Sequence, residues 1–124
     1  MALHLTRALL ALSILLTSLP PVSAHSELRG SMPSAHARLD GAPTEIVLNF
    51  KERVQVTTLR LLDPASRVIR LTVDVDLAPS HEKRAVVPAD LKPGHYKIDW
   101  AAISSDGHPV SGTVPFEVRL PGGR

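Results

Sequence analysis

The sequence has no cysteine among its 124 residues. Disulfide bonds and thiolate metal sites are therefore excluded. Aromatic residues make up only 3% of the chain, which argues against stacking surfaces for nucleic-acid bases or sugar rings. Lysine and arginine number 14 against 12 acidic residues, and a formal charge of +2 lacks the basic excess typical of nucleic-acid-binding proteins.

Helical periodicity is also missing from the chain after residue 24. Eleven prolines and seven glycines indicate many turns, and apolar residues alternate with polar ones at the period of two that is typical of half-buried strands. The predicted strands are 45–50, 56–63, 67–76, 84–90, 95–104 and 113–120. Several short strands separated by turns predict an all-β fold, an antiparallel two-sheet sandwich or a small barrel.

The segment 67–76 has the clearest alternation. One face of this predicted strand would carry its apolar side chains, which are Ile69, Leu71, Val73 and Val75. The segment 95–104 alternates in the same way and predicts a set of inward-facing residues, which are Tyr96, Ile98, Trp100 and Ala102. Tyr96 and Trp100 are interpreted as core residues.

Residues 1–24 have the layout of a secretory signal peptide. Arg7 supplies a positive charge, an apolar run follows it, and small residues end at Ala24. The run is short for a membrane span, although an uncleaved N-terminal anchor is the alternative. Cleavage after Ala24 predicts an exported domain over residues 25–120, with residues 121–124 as a frayed tail.

His25, the first residue of the predicted exported chain, is a candidate metal ligand. A terminal histidine offers its α-amine and its imidazole to the same ion. Both nitrogens must be unprotonated to bind, so affinity is expected to fall in acid. The alternative is an ordinary first residue with no such role.

A second candidate site lies in the segment 104–109, which reads Ser-Ser-Asp-Gly-His-Pro. Asp106 and His108 are two residues apart, a spacing that puts both side chains on one side of extended chain. With His25 they would supply nitrogen and oxygen ligands that suit Cu(II), although Zn(II) could use the same atoms. The alternative is a plain turn with a solvated histidine.

The sequence resembles the CopC family of periplasmic copper-binding proteins over essentially the whole predicted exported chain. The opening of that chain carries a leading histidine, a Ser-x-Pro turn and a strand that ends in Phe-x-Glu. Residues 93–118 carry a Tyr-x-x-x-Trp strand, the Ser-x-Asp-Gly-His-Pro segment and a Ser-Gly pair before the last strand.

The resemblance implies an Ig-like, or cupredoxin-like, Greek-key β-sandwich. It also implies a Cu(II) site made by His25 through its amine and imidazole, by the His108 imidazole and by the Asp106 carboxylate. Glu52 matches a glutamate that lies near the site in some relatives, and a solvated charge is its alternative interpretation. His36, His81 and His95 are interpreted as surface residues.

The chain departs from relatives that hold Cu(I) in a methionine-rich loop, since its only methionines are Met1 and Met32. Thioether ligands are therefore scarce, and a Cu(II)-only protein is expected. The resemblance implies a periplasmic role in copper resistance and homeostasis, by sequestration or delivery. A separate inner-membrane copper transporter is the expected partner, with no nucleic acid and no small-molecule substrate.

Two other functions stay open at this point. A terminal-histidine copper site also occurs in polysaccharide monooxygenases, so a copper-dependent oxidative enzyme is one alternative. The scarcity of aromatic residues for binding a sugar chain argues against it, and we expect no enzymatic activity. A metal-free Ig-like interaction module is the other alternative.

Overall fold

The computed structural model describes residues 27–74 and 76–121. The predicted signal peptide, His25 and most of the predicted tail lie outside the described residues, so the proposed boundaries stay predictions. Within residues 27–74 and 76–121, no helix has the length and hydropathy needed to cross a membrane.

In the part of the chain that the structure describes, eight strands form two sheets, and the prediction of an all-β fold is confirmed. The strands are β1 (Leu28–Met32), β2 (Ala37–Leu39), β3 (Glu45–Leu62), β4 (Val68–Ile69), β5 (Thr72–Val73), β6 (Ser80–Val86), β7 (Gly94–Ile103) and β8 (Pro109–Val118). The first sheet has the order β1-β3-β6-β5, and the second has the order β2-β8-β7-β3-β4.

Strand β3 belongs to both sheets and holds them together. Its residues 45–54 pair with β1 and β6 in the first sheet, and its residues 55–62 pair with β7 in the second. The predicted strands 45–50 and 56–63 are therefore two ends of one element. The part between them carries an interruption of the β3–β6 register that lies between Asn49 and Val54.

The inner faces of the two sheets enclose one apolar core. The buried side chains follow the period-two alternation of β3, β7 and β8, and burial of each Leu, Ile, Val or Phe among them contributes about 1.5–3 kcal/mol to stability. They include Ile46, Leu48, Phe50, Leu61, Tyr96, Ile98, Trp100, Ala102, Val114, Phe116 and Val118. The predicted inward set of segment 95–104 is thus confirmed.

The prediction of one strand over 67–76 is wrong. The segment forms two strands of two residues each, because β4 pairs with β3 in the second sheet and β5 pairs with β6 in the first. The chain crosses between the sheets at Arg70 and Leu71. Three residues of the predicted apolar face, Ile69, Leu71 and Val73, pack on the core. The fourth, Val75, lies outside the described residues.

One strand pair departs from the predicted antiparallel arrangement. Strand β2 pairs with the end of β8 in parallel, with Ala37 opposite Phe116 and Leu39 opposite Val118. This short strand covers the outer edge of β8, which would otherwise present unpaired backbone groups to solvent.

Gly112 is required by the close approach of β8 to Trp100. A Cβ atom at this position would lie 2.8 Å from Nε1 and Cζ2 of the indole, which is buried and cannot move away cheaply. We expect Gly112→Ala to lower the free energy of unfolding by about 1–3 kcal/mol, as overpacked cores do. Gly41→Ala is the control in chemical denaturation, because nothing lies within 4 Å of its added Cβ. Equal stability of the two variants would show that the indole yields.

Candidate metal centre

The segment between β7 and β8 is a tight turn. The Ser104 amide donates to the His108 carbonyl at 2.9 Å, and the Gly107 amide donates to the Ser104 carbonyl at 2.9 Å. Gly107 has a φ of +85°, in the left-handed region that glycine adopts without a steric cost. Asp106 and His108 therefore flank Gly107, whose positive φ the turn requires.

Asp106 and His108 contact each other directly. Asp106 Oδ2 lies 2.9 Å from His108 Nδ1, and both side chains are well exposed, at 68% and 77%. The Ser104 hydroxyl donates to Asp106 Oδ1 and accepts the His108 amide at 3.2 Å. Because an ionised carboxylate only accepts hydrogen bonds, the proton of a neutral His108 ring lies on Nδ1 in this contact, which leaves the Nε2 lone pair for an ion.

The hydrogen bond from Ser104, with that from His108, lowers the pKa of Asp106 to about 2. The folded-state pKa lies below the ordinary value of about 3.9, so this group contributes stability that is present above pH 3.9 and is lost as the pH falls through about 2.

We expect Ser104→Ala to raise the Asp106 pKa toward its ordinary value. Carboxyl NMR titration of the metal-free protein measures it, and an unchanged midpoint would contradict this origin.

Glu52, a residue of β3, contacts the turn between β7 and β8. It is an exposed residue of β3, and its Oε2 accepts a hydrogen bond from the Ser105 hydroxyl at 2.9 Å. This contact joins residues 53 positions apart and brings a third carboxylate or imidazole group to the neighbourhood of Asp106 and His108. No sequence spacing indicates it.

The start of β1 lies beside the same part of β3. The Glu27 carbonyl accepts the Lys51 amide at 2.9 Å, and Leu28 is opposite Phe50. His25 lies outside the described residues, two positions before Glu27. Two residues of extended chain span roughly 7 Å, which is the reach available to His25 from that anchor.

The described ranges contain no group of three or more histidine, aspartate and glutamate side chains arranged to hold a metal ion. Asp106 and His108 are brought together, and Glu52 is linked to their turn through Ser105. A site with three nitrogen ligands would need His25. Ser104 and Ser105, to which the sequence alone assigns no role of their own, hold Asp106 and Glu52 respectively.

The three histidines interpreted as surface residues are all exposed. His36 and His95 line a shallow groove on the outer face of the second sheet. His81 lies at the start of β6, and its Nδ1 is 3.4 Å from the Phe50 carbonyl oxygen. Met32 is 63% exposed on β1 and is the single methionine of the described residues.

A family model described as the CopC domain matches residues 28–119. The chain belongs to the CopC family. The resemblance seen in the sequence is confirmed, and the match covers all eight strands.

Some relatives of this CopC-family chain carry names that refer to copper. Copper resistance protein C of Escherichia coli is 33% identical over 105 residues, which are 77% of this chain and 82% of that protein. Protein YobA of Escherichia coli (strain K12) is 39% identical over 115 residues, covering 88% of this chain and 92% of its own length. Copper transport protein CutJ of Bacillus subtilis (strain 168) is 30% identical over 111 residues, and the match spans 20% of that longer protein.

Solved structures of CopC proteins share the fold. The crystal structure of CopC from Methylosinus trichosporium OB3b matches with a TM-score of 0.68 and 25% identity, over 81% of this chain and 99% of that one. PcoC from Escherichia coli, a methionine-rich copper resistance protein, matches with a TM-score of 0.62 and 30% identity, over 75% and 97% of the two chains.

Proposed function

We propose that this CopC-family chain is a periplasmic Cu(II)-binding protein that serves copper resistance by sequestering or delivering the ion. The names of its relatives support copper as the cargo. The available donors support the oxidation state, because imidazole, amine and carboxylate suit Cu(II) and the chain has no cysteine. The ion is carried and not used for turnover, so no enzymatic activity is expected.

The proposed ligands are His25 through its amine and imidazole, His108 through Nε2, and Asp106 through its carboxylate. In the metal-free arrangement the Asp106 carboxylate orients the His108 ring, and direct coordination by Asp106 would require that contact to open. Glu52 stands at the edge of the proposed site and adds negative charge that favours a cation.

One observation carries the proposal. Lys51 binds the chain two residues after His25, and its neighbour Glu52 binds the turn that holds Asp106 and His108. The start of the exported chain and the Asp-Gly-His turn are thus tethered to consecutive residues of β3. His25 and Asp106 are 81 positions apart in the sequence, and without such a tether nothing would link them to one site.

The proposal includes a single Cu(II) site and no methionine-rich Cu(I) site. Met32 is an isolated thioether on β1, and soft ligands are needed to hold Cu(I). A separate inner-membrane copper transporter is the proposed partner. The match to part of the longer copper transport protein CutJ supports a link between a CopC-like domain and copper transport.

Isothermal titration of the chain that begins at His25 tests the function. We expect tight binding of one Cu(II) and weaker binding of Zn(II), following the general affinity order. Absence of tight copper binding would leave a metal-free interaction module. Rapid ascorbate-driven peroxide production by the copper form would favour an oxidative enzyme and contradict the carrier function.

A further inference from the structure

Strand β3 bulges opposite His81. The register places Asn49 opposite Glu82 and Val54 opposite Ser80, so four residues of β3 face the single residue His81 of β6. The extra residues leave the regular ladder, and Lys51, Glu52 and Arg53 are all exposed there. Bulges of this kind redirect side chains and occur often beside functional sites.

The bulge, defined here as residues 50–53, carries both tethers of the proposed copper site. The Lys51 amide holds the Glu27 carbonyl at 2.9 Å, and Glu52 holds Ser105 at 2.9 Å. A shift of the bulge would therefore move the start of the exported chain relative to the Asp-Gly-His turn. The geometry of the site depends on what fixes residues 50–53.

His81 contacts the first residue of this bulge. Its Nδ1 lies 3.4 Å from the Phe50 carbonyl oxygen, and in the tautomer that carries the proton on Nδ1 this ring nitrogen donates to that oxygen, which can only accept. The Phe50 side chain is anchored in the core, 3% exposed and in edge contact with Trp100 at 5.3 Å. His81 also lines a groove of about 510 Å³ together with Asn49 and Lys51.

We infer that His81 is a positioning residue of the copper site, one that fixes the bulge through the Phe50 carbonyl without binding the ion. This role rests on the proposed function and adds to it a group from β6, a strand that supplies none of the proposed ligands. His36 and His95 lack this role, since they lie in a groove on the outer face of the second sheet.

Replacement of His81 tests the inference in the chain that begins at His25. His81→Ala is expected to lower Cu(II) affinity about 10-fold, the size of effect that outer groups have on metal sites. His81→Asn should recover most of it, because its amide nitrogen stands where Nδ1 stands and can donate to Phe50. His95→Ala, the matched control, should bind as the parent does. Equal affinity of the alanine variant, or no recovery by asparagine, would overturn the inference.

A spectroscopic readout separates positioning from ligation. The Cu(II) electron paramagnetic resonance spectrum of His81→Asn should match that of the parent protein, because the set of coordinating atoms is unchanged. A changed nitrogen coupling pattern would identify His81 as a ligand and overturn the positioning role.

Hydrogen exchange in the metal-free protein tests the role of His81 without relying on copper binding. In the metal-free protein, His81→Ala should speed hydrogen exchange of the Lys51 amide, and His81→Asn should slow it again. Unchanged Lys51 protection in His81→Ala would show that His81 does not hold the bulge. If the parent chain binds no copper, the proposed function fails, and this exchange experiment still decides whether His81 anchors residues 50–53.

Discussion

A chain with one alanine added before His25 is expected to bind Cu(II) at least about 100-fold more weakly than the chain that begins at His25. The addition converts the terminal amine into an amide, whose lone pair is delocalised into the carbonyl group and is a poor ligand. Loss of an outer group alone costs a metal site about 10- to 100-fold in affinity, so loss of a direct ligand should cost more. Isothermal titration at neutral pH measures the difference.

The matched control for this experiment carries the alanine after Arg124 instead. It has the same composition and mass but keeps the amine of His25. It should bind copper as the parent does. Equal affinity of the two extended chains would show that the amine is not a ligand, and the site would then have to be built from side chains alone.

Strand β7 and the part of β8 from Thr113 onward were predictable, because the alternation of their own side chains decides which residues are buried. The predicted strand 113–120 missed the first four residues of β8, which begins at Pro109. Each alternates apolar and polar residues for most of its ten residues, and the hairpin that joins them closes over a short turn with an Asp-Gly pair. A period-two pattern with one face against the core fixes which residues point inward. Tyr96, Ile98 and Trp100 are accordingly buried where the pattern places them.

The segment 67–76 shows where local pattern stops being sufficient. Alternation sets which face of a strand is buried, and that part of the prediction holds for Ile69 and Leu71. It does not set which neighbour the backbone pairs with. Here the pairing partner changes from β3 to β6 within a few residues, so the ladder breaks although the burial pattern continues.

The strands β1 and β2 were missed for a related reason. They are five and three residues long, they lie among turn residues, and neither has a strong alternation of its own. Their conformation comes from pairing with β3 and β8, which already have buried faces. Such strands depend on long-range partners that the local sequence does not identify.

The candidate site was predictable in its chemistry and not in its assembly. A histidine, an aspartate and a possible terminal amine indicate ligands for copper whatever the fold. The contact of Glu52 with Ser105 and that of Lys51 with Glu27 arise because the bulge in β3 faces both segments. Neither the bulge nor the role inferred for His81 has a signature in residue spacing.

His108→Ala is expected to lower Cu(II) affinity at least about 100-fold in the chain that begins at His25, because it removes one of the proposed nitrogen ligands. The turn itself should persist. In its hydrogen bonds with Ser104, residue 108 uses its backbone amide and carbonyl, which alanine retains. Isothermal titration measures the affinity, and thermal unfolding of the metal-free variant checks that the fold is intact.

His95→Ala is the matched control, since His95 is an exposed histidine of β7 whose side chain lines the groove on the outer face of the second sheet. Removing it also deletes one imidazole from the surface, so any general contribution of histidines to copper binding would appear in both variants. A large loss confined to His108→Ala would identify a specific site at the Asp-Gly-His turn. Equal affinities would mean that copper binds elsewhere, and the tether through β3 would then have no bearing on the metal.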